Sequence, residues 1–434
     1  MNFIIQIPNF FTDEIQYSLN VLLKYCLGID NFSFSIGVDS DFSFLFAENK
    51  LVVKNHFFKS VPDSELYSVK NLPHSENMDI TADIIPVYGE NKVEMMDQSS
   101  MIVHADLVSS TFFLLTQWEH QTNSYRDEHN RYILKESFIG KNKIYHRPLV
   151  NEYADFLYHN LTSMGFPLNR KEWYKSTMTI DVDQLYKWQN FNNLLGSLKR
   201  NLTSPVELLD QIKSYFQSKK IKQKDKYFTI PFMIETANKN DIESIVFLKT
   251  GISNPQFDRN RYDIFKERRL IKELEENQTL IGIHPSYESS LSKETIEHEV
   301  RLLSQATHYQ ITYSRQHFLR YNRDTFRFLE ACGIRHDSSI QYTEGMGFAN
   351  GICTVYPIFD IEQKRILDLF EIPLLIMKKE SQGISSKTFL QKSEELILEA
   401  RKHNAEFMVL FHNTDVETRK GKLLFEDILQ LMAA

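Results

Sequence analysis

The sequence predicts an α/β protein whose larger part is a repeating β/α fold of the parallel-barrel kind, preceded by an α+β unit. Three observations carry this expectation. From Asp181 onward, short apolar runs of strand type alternate with segments of helical periodicity. Four of those runs stop at chemistry-bearing side chains, as strands of a parallel barrel do at their C-terminal ends. Before residue 168 the pattern is different, with short alternating strands that follow one another directly.

In the first unit, residues 12 to 27 read as a helix. Phe32, Phe34, Ile36 and Val38 then alternate with small or polar residues, as in a half-buried strand. Asp39-Ser40-Asp41 makes a turn, Phe42, Phe44 and Phe46 alternate again, and Glu48-Asn49-Lys50 leads into Leu51-Val52-Val53. Consecutive strands of this length imply an antiparallel sheet. The stretch from about 60 to 100 is polar and irregular, and Met101 to Trp118 suits one buried helix. Asp127-Glu128-His129-Asn130-Arg131 follows, where Asp127 and Arg131 are expected to pair and hold a loop. A helix from about 150 to 163 closes a unit taken as residues 1–167.

The second unit, 168–434, opens with Thr177-Met178-Thr179-Ile180-Asp181-Val182-Asp183. A helix over 184 to 199 places Leu185, Trp188, Phe191, Leu195 and Leu198 on one side. Ser204-Pro205-Val206-Glu207 has capping-box spacing with proline at the first helical position, and Leu208, Leu209, Ile212 and Phe216 continue that helix. Next come strand 244 to 248, a charged helix over 258 to 276 and the strand Leu280-Ile281-Gly282-Ile283, which stops at His284. Helix 292 to 306 precedes strand 310 to 314, which ends at Arg315-Gln316-His317. Helix 323 to 332, a strand near Ser338 to Tyr342, helix 386 to 403 and the strand Phe407 to Phe411 complete the alternation, the last strand ending at His412-Asn413.

With 434 residues the chain exceeds what one hydrophobic core usually serves. The net charge of -7, with acids and bases mixed along the chain, leaves no electrostatic footprint for nucleic acid. The basic run Lys219 to Lys224 reads as a solvated loop. Cys26, Cys332 and Cys353 are odd in number and match no metal-ligand spacing, which suits a reducing compartment. The start, Met1-Asn2-Phe3-Ile4-Ile5, lacks the basic region and long apolar core of a signal peptide. No apolar run approaches the roughly 20 residues of a membrane span, so a cytoplasmic location without a transmembrane segment is expected. The 32 Phe and 20 Tyr are read as core before sugar-binding faces. Oligomeric state is not legible.

Asp181 and Asp183 carry the strongest signal. Alternation along a strand points both carboxylates the same way, and like charges that close call for a cation or a shared proton. The alternative is a solvated strand end with Asp183 capping the next helix. Coincidence with His284, with Arg315 and His317, and with His412 in one repeating context favours a site.

The order Thr-x-Asp-x-Asp, Ile-Gly-Ile-His-Pro-Ser-Tyr (281 to 287), Arg-Gln-His (315 to 317), Asp337-Ser338-Ser339, Gly347-Phe348 and Leu410-Phe411-His412-Asn413 resembles the polysaccharide deacetylase family. More narrowly, the chain is similar to bacterial members that carry an N-terminal α+β module, whose Asp-x-His-x-Arg segment is similar to Asp127, His129 and Arg131. The resemblance spans nearly the whole chain and is strongest over 281 to 353.

The resemblance implies a distorted (β/α) barrel of about seven strands that holds one divalent metal, zinc before others, and removes acetyl groups from an acetylated amino-sugar glycan. It implies Asp181 as carboxylate base, Asp183 and His284 as metal ligands, Arg315 as the group orienting the base, and His412 as acid. Tyr287, Phe348 and Asn413, within the matched motifs, are the expected substrate contacts. Three positions depart from the family pattern. Val182 separates the two aspartates, which leaves open which is base and which is ligand. Glu288 stands where a second histidine is usual, so the third ligand is His317 or Glu288. Ala349 replaces an arginine common in the closer group. A glycan-binding protein that has lost turnover is the alternative reading.

Overall fold

A computed structural model describes residues 1–74, 80–122, 124–200, 205–258, 262–378 and 383–433. It contains two sheets. The first is built from β1 (Phe3–Ile7), β2 (Phe32–Ile36), β3 (Phe42–Phe46), β4 (Asn49–Val53), β5 (Gly89–Met95) and β6 (Ser100–Ala105), in the order β2-β1-β3-β4-β6-β5. It is mixed, contrary to the antiparallel expectation, because β1/β2 and β4/β6 are parallel pairs. The stretch expected to be one helix from Met101 to Trp118 is strand β6 followed by the helix Leu107–Thr116. The break falls at Asp106, whose carboxylate accepts from the backbone N–H of Ser109, His56 and Phe57 and so caps the helix. Helices Thr12–Asn20 and Leu149–Ser163 complete this unit.

The second sheet takes β7 (Tyr174–Val182), β8 (Glu243–Leu248), β9 (Leu280–Ile283), β10 (Tyr313–Ser314), β11 (His336–Asp337), β12 (Tyr356–Asp360), β13 (Arg365–Glu371), β14 (Leu374–Met377) and β15 (Ala405–His412). The order is β12-β13-β11-β10-β9-β8-β7-β15-β14. Every neighbouring pair is parallel except β12/β13. This is a nine-stranded open sheet with β12 and β14 at its edges, where a barrel of about seven strands was expected. It is strongly curled. The Arg315 side chain, beyond β10, reaches Thr179 on β7 at 2.9 Å and Met408 on β15 at 3.2 Å. Strands three apart in a flat sheet stand about 14 Å apart, beyond any side chain's span.

Close strand packing shows at Gly282, where a Cβ would lie 2.5 Å from the Phe247 ring. Helices Phe191–Arg200, Pro205–Lys220, Ile230–Lys239, Arg268–Glu276, Lys293–Thr307, Arg323–Ala331, Ser386–Arg401 and Arg419–Ala433 alternate with the strands. Two expected helices start late: the first at Phe191 rather than 184, the charged one at Arg268 rather than 258. The cap expected at Ser204 lies outside the described residues. No described helix is long and apolar enough to cross a membrane.

The two units share their cores. Ile352, Tyr356, Phe359 and Ile361, from the segment around β12, are buried among the apolar side chains of the first unit. Tyr17 donates a 2.9 Å hydrogen bond to the Pro357 carbonyl, and its ring lies 5.1 Å from that of Phe359.

Candidate active site

Parallel strands buried on both faces end together, so the residues that follow β7, β9, β10 and β15 meet above one edge of the sheet. Asp181, Asp183, His284, Gln316, His317, Leu410 and His412 line one cavity of about 390 Å³ there, with Glu128, His129 and Arg131 from the first unit.

The centre of the cavity is Asp183. Its Oδ1 lies 3.3 Å from His284 Nε2 and 3.1 Å from His317 Nε2. Both imidazoles have their other nitrogen committed. His284 Nδ1 is 2.6 Å from the Arg315 carbonyl, and His317 Nδ1 is 3.0 Å from Asp258 Oδ1. The Arg315 carbonyl puts the proton of His284 on Nδ1 and leaves its Nε2 lone pair facing the Asp183 carboxylate, while His317 Nδ1 stands between Asp258 Oδ1 and Lys249 Nζ, 3.0 Å from each. Asp183 Oδ1 is accordingly occluded with no hydrogen-bond donor of its own. A proton or a cation has to offset this convergence of acceptors.

The residues fit a cation. The ligand atoms of Asp183, His284 and His317 all lie within 4.8 Å of one another. The 3.3 and 3.1 Å separations match the roughly 3.3 Å edge of a tetrahedron with bonds of about 2 Å, the geometry of zinc with nitrogen and oxygen ligands. An imidazole backed by a carboxylate, as His317 is by Asp258, is the usual outer arrangement of such sites. With a proton rather than a cation in this place, burial still pushes the Asp183 carboxyl up, but the charged imidazoles of His317 and His284 outweigh it and hold it well below the usual range.

Glu288 stands apart. Its Oε1 accepts from Asn254 at 3.2 Å and its Oε2 lies 3.5 Å from Arg320. The cluster of candidate ligands includes His317 and omits it.

On one flank lies Asp181, buried at 2 % exposure, its Oδ1 3.5 Å from Arg315 Nη1 and its Oδ2 3.9 Å from His284 Nε2. Arg315 is completely buried. Its guanidinium donates to the Ser338 carbonyl at 2.7 Å, the Ser338 hydroxyl at 2.9 Å and the Thr179 hydroxyl at 2.9 Å. On the other flank His412 is half-buried. Its Nδ1 lies 3.5 Å from Asp415 Oδ2, and its Nε2 3.8 Å from Asp183 Oδ2. Burial disfavours the charged imidazole, but Asp415, Asp183 and Asp181 outweigh it and raise its pKa to about 9.

Three expected substrate contacts lie elsewhere. Phe348 is 1 % exposed in the core of the second unit. It is held there by a 2.7 Å bond from its N–H to the Tyr145 carbonyl, beside Gly347, whose φ of 146° and 2.1 Å approach to that carbonyl exclude a Cβ. Asn413 is buried, and its amide donates to the Gln184 and Tyr227 carbonyls at 2.7 Å each. Tyr287 turns its hydroxyl to His129 Nδ1 at 3.0 Å. Ala349 is buried in the same core as Phe348.

Sequence reasoning missed Asp258 and Lys249, and singled out His129 without placing it at the cleft. Asp258 sits in a loop read as helix, accepts from Lys249 Nζ at 2.8 Å, and is held well below the usual carboxylate range by His317 and Lys249 against its burial. Asp-Glu-His-Asn-Arg at 127 to 131 was the only hint that the first unit reaches the cleft.

Fold and site together define an α/β protein with an Asp-His-His cluster, a buried Asp-Arg pair and a carboxylate-backed histidine at the C-terminal edge of a parallel sheet. A family model described as a family of unknown function (DUF7033) matches residues 3–165. No curated protein matches the chain. Solved structures similar to it include a Mycobacterium smegmatis protein provisionally termed a polysaccharide deacetylase, at 12 % identity and TM-score 0.40, covering 60 % of this chain and 84 % of that one. Another is a CE4 family pseudoenzyme from Bacillus anthracis, at 11 % identity and TM-score 0.31, over 59 % and 60 % of the two chains. A third is a polysaccharide deacetylase from Bacillus cereus, at 11 % identity and TM-score 0.29, over 59 % and 86 %.

Proposed function

We propose that the cleft hydrolyses the acetyl amide of an acetylated amino-sugar glycan with the help of one divalent ion, zinc by preference, held by Asp183, His284 and His317. The observation that carries this reading is the meeting of the three candidate ligands with Asp181–Arg315 on one flank and His412–Asp415 on the other. The ion, when bound, polarises a carbonyl and acidifies water. Asp181 is then the proton acceptor, since it stands beside the ligand set and is held by Arg315. His412, across the cleft, gives a proton to the departing amine, with Asp415 fixing its ring. The division of the chain near residue 167/168 belongs to the same reading, which assigns the hydrolytic chemistry to residues of the second unit.

The test compares the unmutated protein with Asp181→Asn and His412→Ala for acetate release from chitooligosaccharides, zinc content and melting temperature. Each variant is expected to keep zinc and fold and to lose a hundredfold or more in turnover, as loss of a proton-transfer group typically costs roughly 10²- to 10⁴-fold. Unchanged acetate release in both variants would end this mechanism. Glycan binding without release by the unmutated protein would establish the binding-protein reading, which the departures at Glu288 and Ala349 allow.

A further inference from the structure

The turn after His317 is unusual. Phe318 has φ 62° and ψ 12°, and Leu319 has φ 55°, so two successive non-glycine residues occupy the left-handed region next to a candidate ligand. Such a conformation persists only where its surroundings over-determine it.

Much of what surrounds this turn comes from the first unit. Arg131 Nη1 donates to the Phe318 carbonyl at 2.9 Å. Its guanidinium is itself held by Asp127, with Nε 2.8 Å and Nη2 2.6 Å from Asp127 Oδ2. Asp127 Oδ1 also accepts from the N–H groups of His129 and Arg131 at 2.9 Å each, which shapes the loop that presents the arginine. The second unit answers in kind. Arg320 Nε donates to the His129 carbonyl at 2.9 Å, and its guanidinium lies 3.8 Å over the Tyr287 ring, whose hydroxyl meets His129 Nδ1 at 3.0 Å. The Phe318 ring packs on both His129 and His317, 4.6 Å from each. The two units are thus clasped by reciprocal arginines, each gripping a backbone carbonyl of the other beside the candidate metal site.

We propose that this clasp makes the first unit a working part of the metal site, with Arg131 and Asp127 as positioning residues that fix the turn after His317 and so aim its Nε2. Asp258 holds the His317 ring from within the second unit, and Arg131 holds the backbone that carries it. The Asp-x-His-x-Arg spacing follows from this role. Asp127 organises the loop, His129 offers its carbonyl to Arg320, and Arg131 reaches across. The inference rests on the metal reading given above.

The experiment measures zinc affinity of the full chain by competition with a chromophoric chelator. Its variants are Arg131→Ala, Arg131→Lys, Asp127→Asn, His317→Ala and, as a control, Arg147→Ala. Arg147 pairs with Glu152 and grips the carbonyls of Ile80, Ala82 and Asp83, away from the cleft, so its loss reports stability alone. Arg131→Ala is expected to weaken zinc binding about 10- to 100-fold, the usual effect of removing an outer partner of a ligand. Lysine should restore only part of this, because one ammonium cannot serve Asp127 and the Phe318 carbonyl with the fixed fork of a guanidinium. Arg147→Ala should lower the melting temperature and leave the affinity unchanged. Should Arg131→Ala fail to fold, Asp127→Asn, which keeps an acceptor for the loop N–H groups, is expected to weaken binding in the same direction. Affinity within twofold of the unmutated protein in both variants, or an equal loss in Arg147→Ala, would overturn the clasp while leaving the ligand set standing. Undiminished affinity in His317→Ala would overturn the ligand set and the clasp together.

Discussion

Replacing Arg315 by methionine removes a guanidinium with no solvent exposure and leaves Asp181, 2 % exposed, without its nearest cation. Methionine fills most of the same space beside Met408, so the perturbation is one of charge and hydrogen bonding more than of volume. The Ser338 carbonyl and the Thr179 hydroxyl lose donors at 2.7 and 2.9 Å. Breaking a buried ion pair by deleting one partner costs about 3–5 kcal/mol. At about 2–4 °C per kcal/mol for a unit of this size, the melting temperature should fall by roughly 10 °C. The pair itself is isolated by a cycle of four proteins: unmutated, Arg315→Met, Asp181→Asn and the double variant, melted at pH 7 with a chelator present so that metal linkage does not intrude. Neutralising Asp181 should make the loss of Arg315 less costly, with a coupling of about 1.5–3 kcal/mol, the range for hydrogen bonds to charged groups. Additivity within about 0.5 kcal/mol would refute the pairing, and with it the idea that Arg315 orients Asp181.

Other predictions concern the metal and pH. Zinc at about a hundredfold excess over its dissociation constant should stabilise the protein by about 2.7 kcal/mol. His317→Ala should abolish that gain in thermal melts and Glu288→Gln should preserve it; the reverse outcome would move the third ligand to Glu288. Glu119, buried in the first unit, has its pKa raised from 4.5 to about 7 by burial, which the Phe138 N–H and Lys141 only partly offset. The folded state therefore holds its proton more tightly than the unfolded chain, and stability falls as pH rises from about 4.5 and levels off above about 7. Glu119→Gln keeps an acceptor for the Phe138 N–H, and should exceed the parent in stability by up to about 3 kcal/mol at pH 8.5 and by little at pH 4.5. Equal gains at both values in urea titrations would show that Glu119 is not the group responsible.

The strands that carry the site were legible because a parallel strand buried on both faces reads as a largely apolar run, as β8, β9 and β15 do, while β7 is marked by the two aspartates at and just past its end. The strands expected at 310 to 314 and near Ser338 to Tyr342 are in fact β10 and β11, two residues each and the second lying before the expected range, yet they seat Arg315 and Asp337. The region from Met101 to Trp118 hid a strand inside an expected helix because both are mainly apolar, and only the cap at Asp106 divides them. Locally, the Asp127–Arg131 loop is as expected. Its reach to Phe318 and Tyr287 is tertiary, and the spacing of the chain hints at a role without naming those partners. Phe348 and Asn413 show the converse, since proximity in sequence to a motif says nothing of the direction in which a side chain points.

The sharing of Ile352, Tyr356, Phe359 and Ile361 bears on how the molecule is made. As the chain leaves the ribosome, the first unit is complete in sequence well before the residues that cover Tyr17 and Phe112 have been synthesised. Its core therefore closes late, when the β12 segment arrives and brings most of the curled sheet with it. A recombination that exchanged either unit for another would have to carry this segment along, or leave an open aromatic face behind.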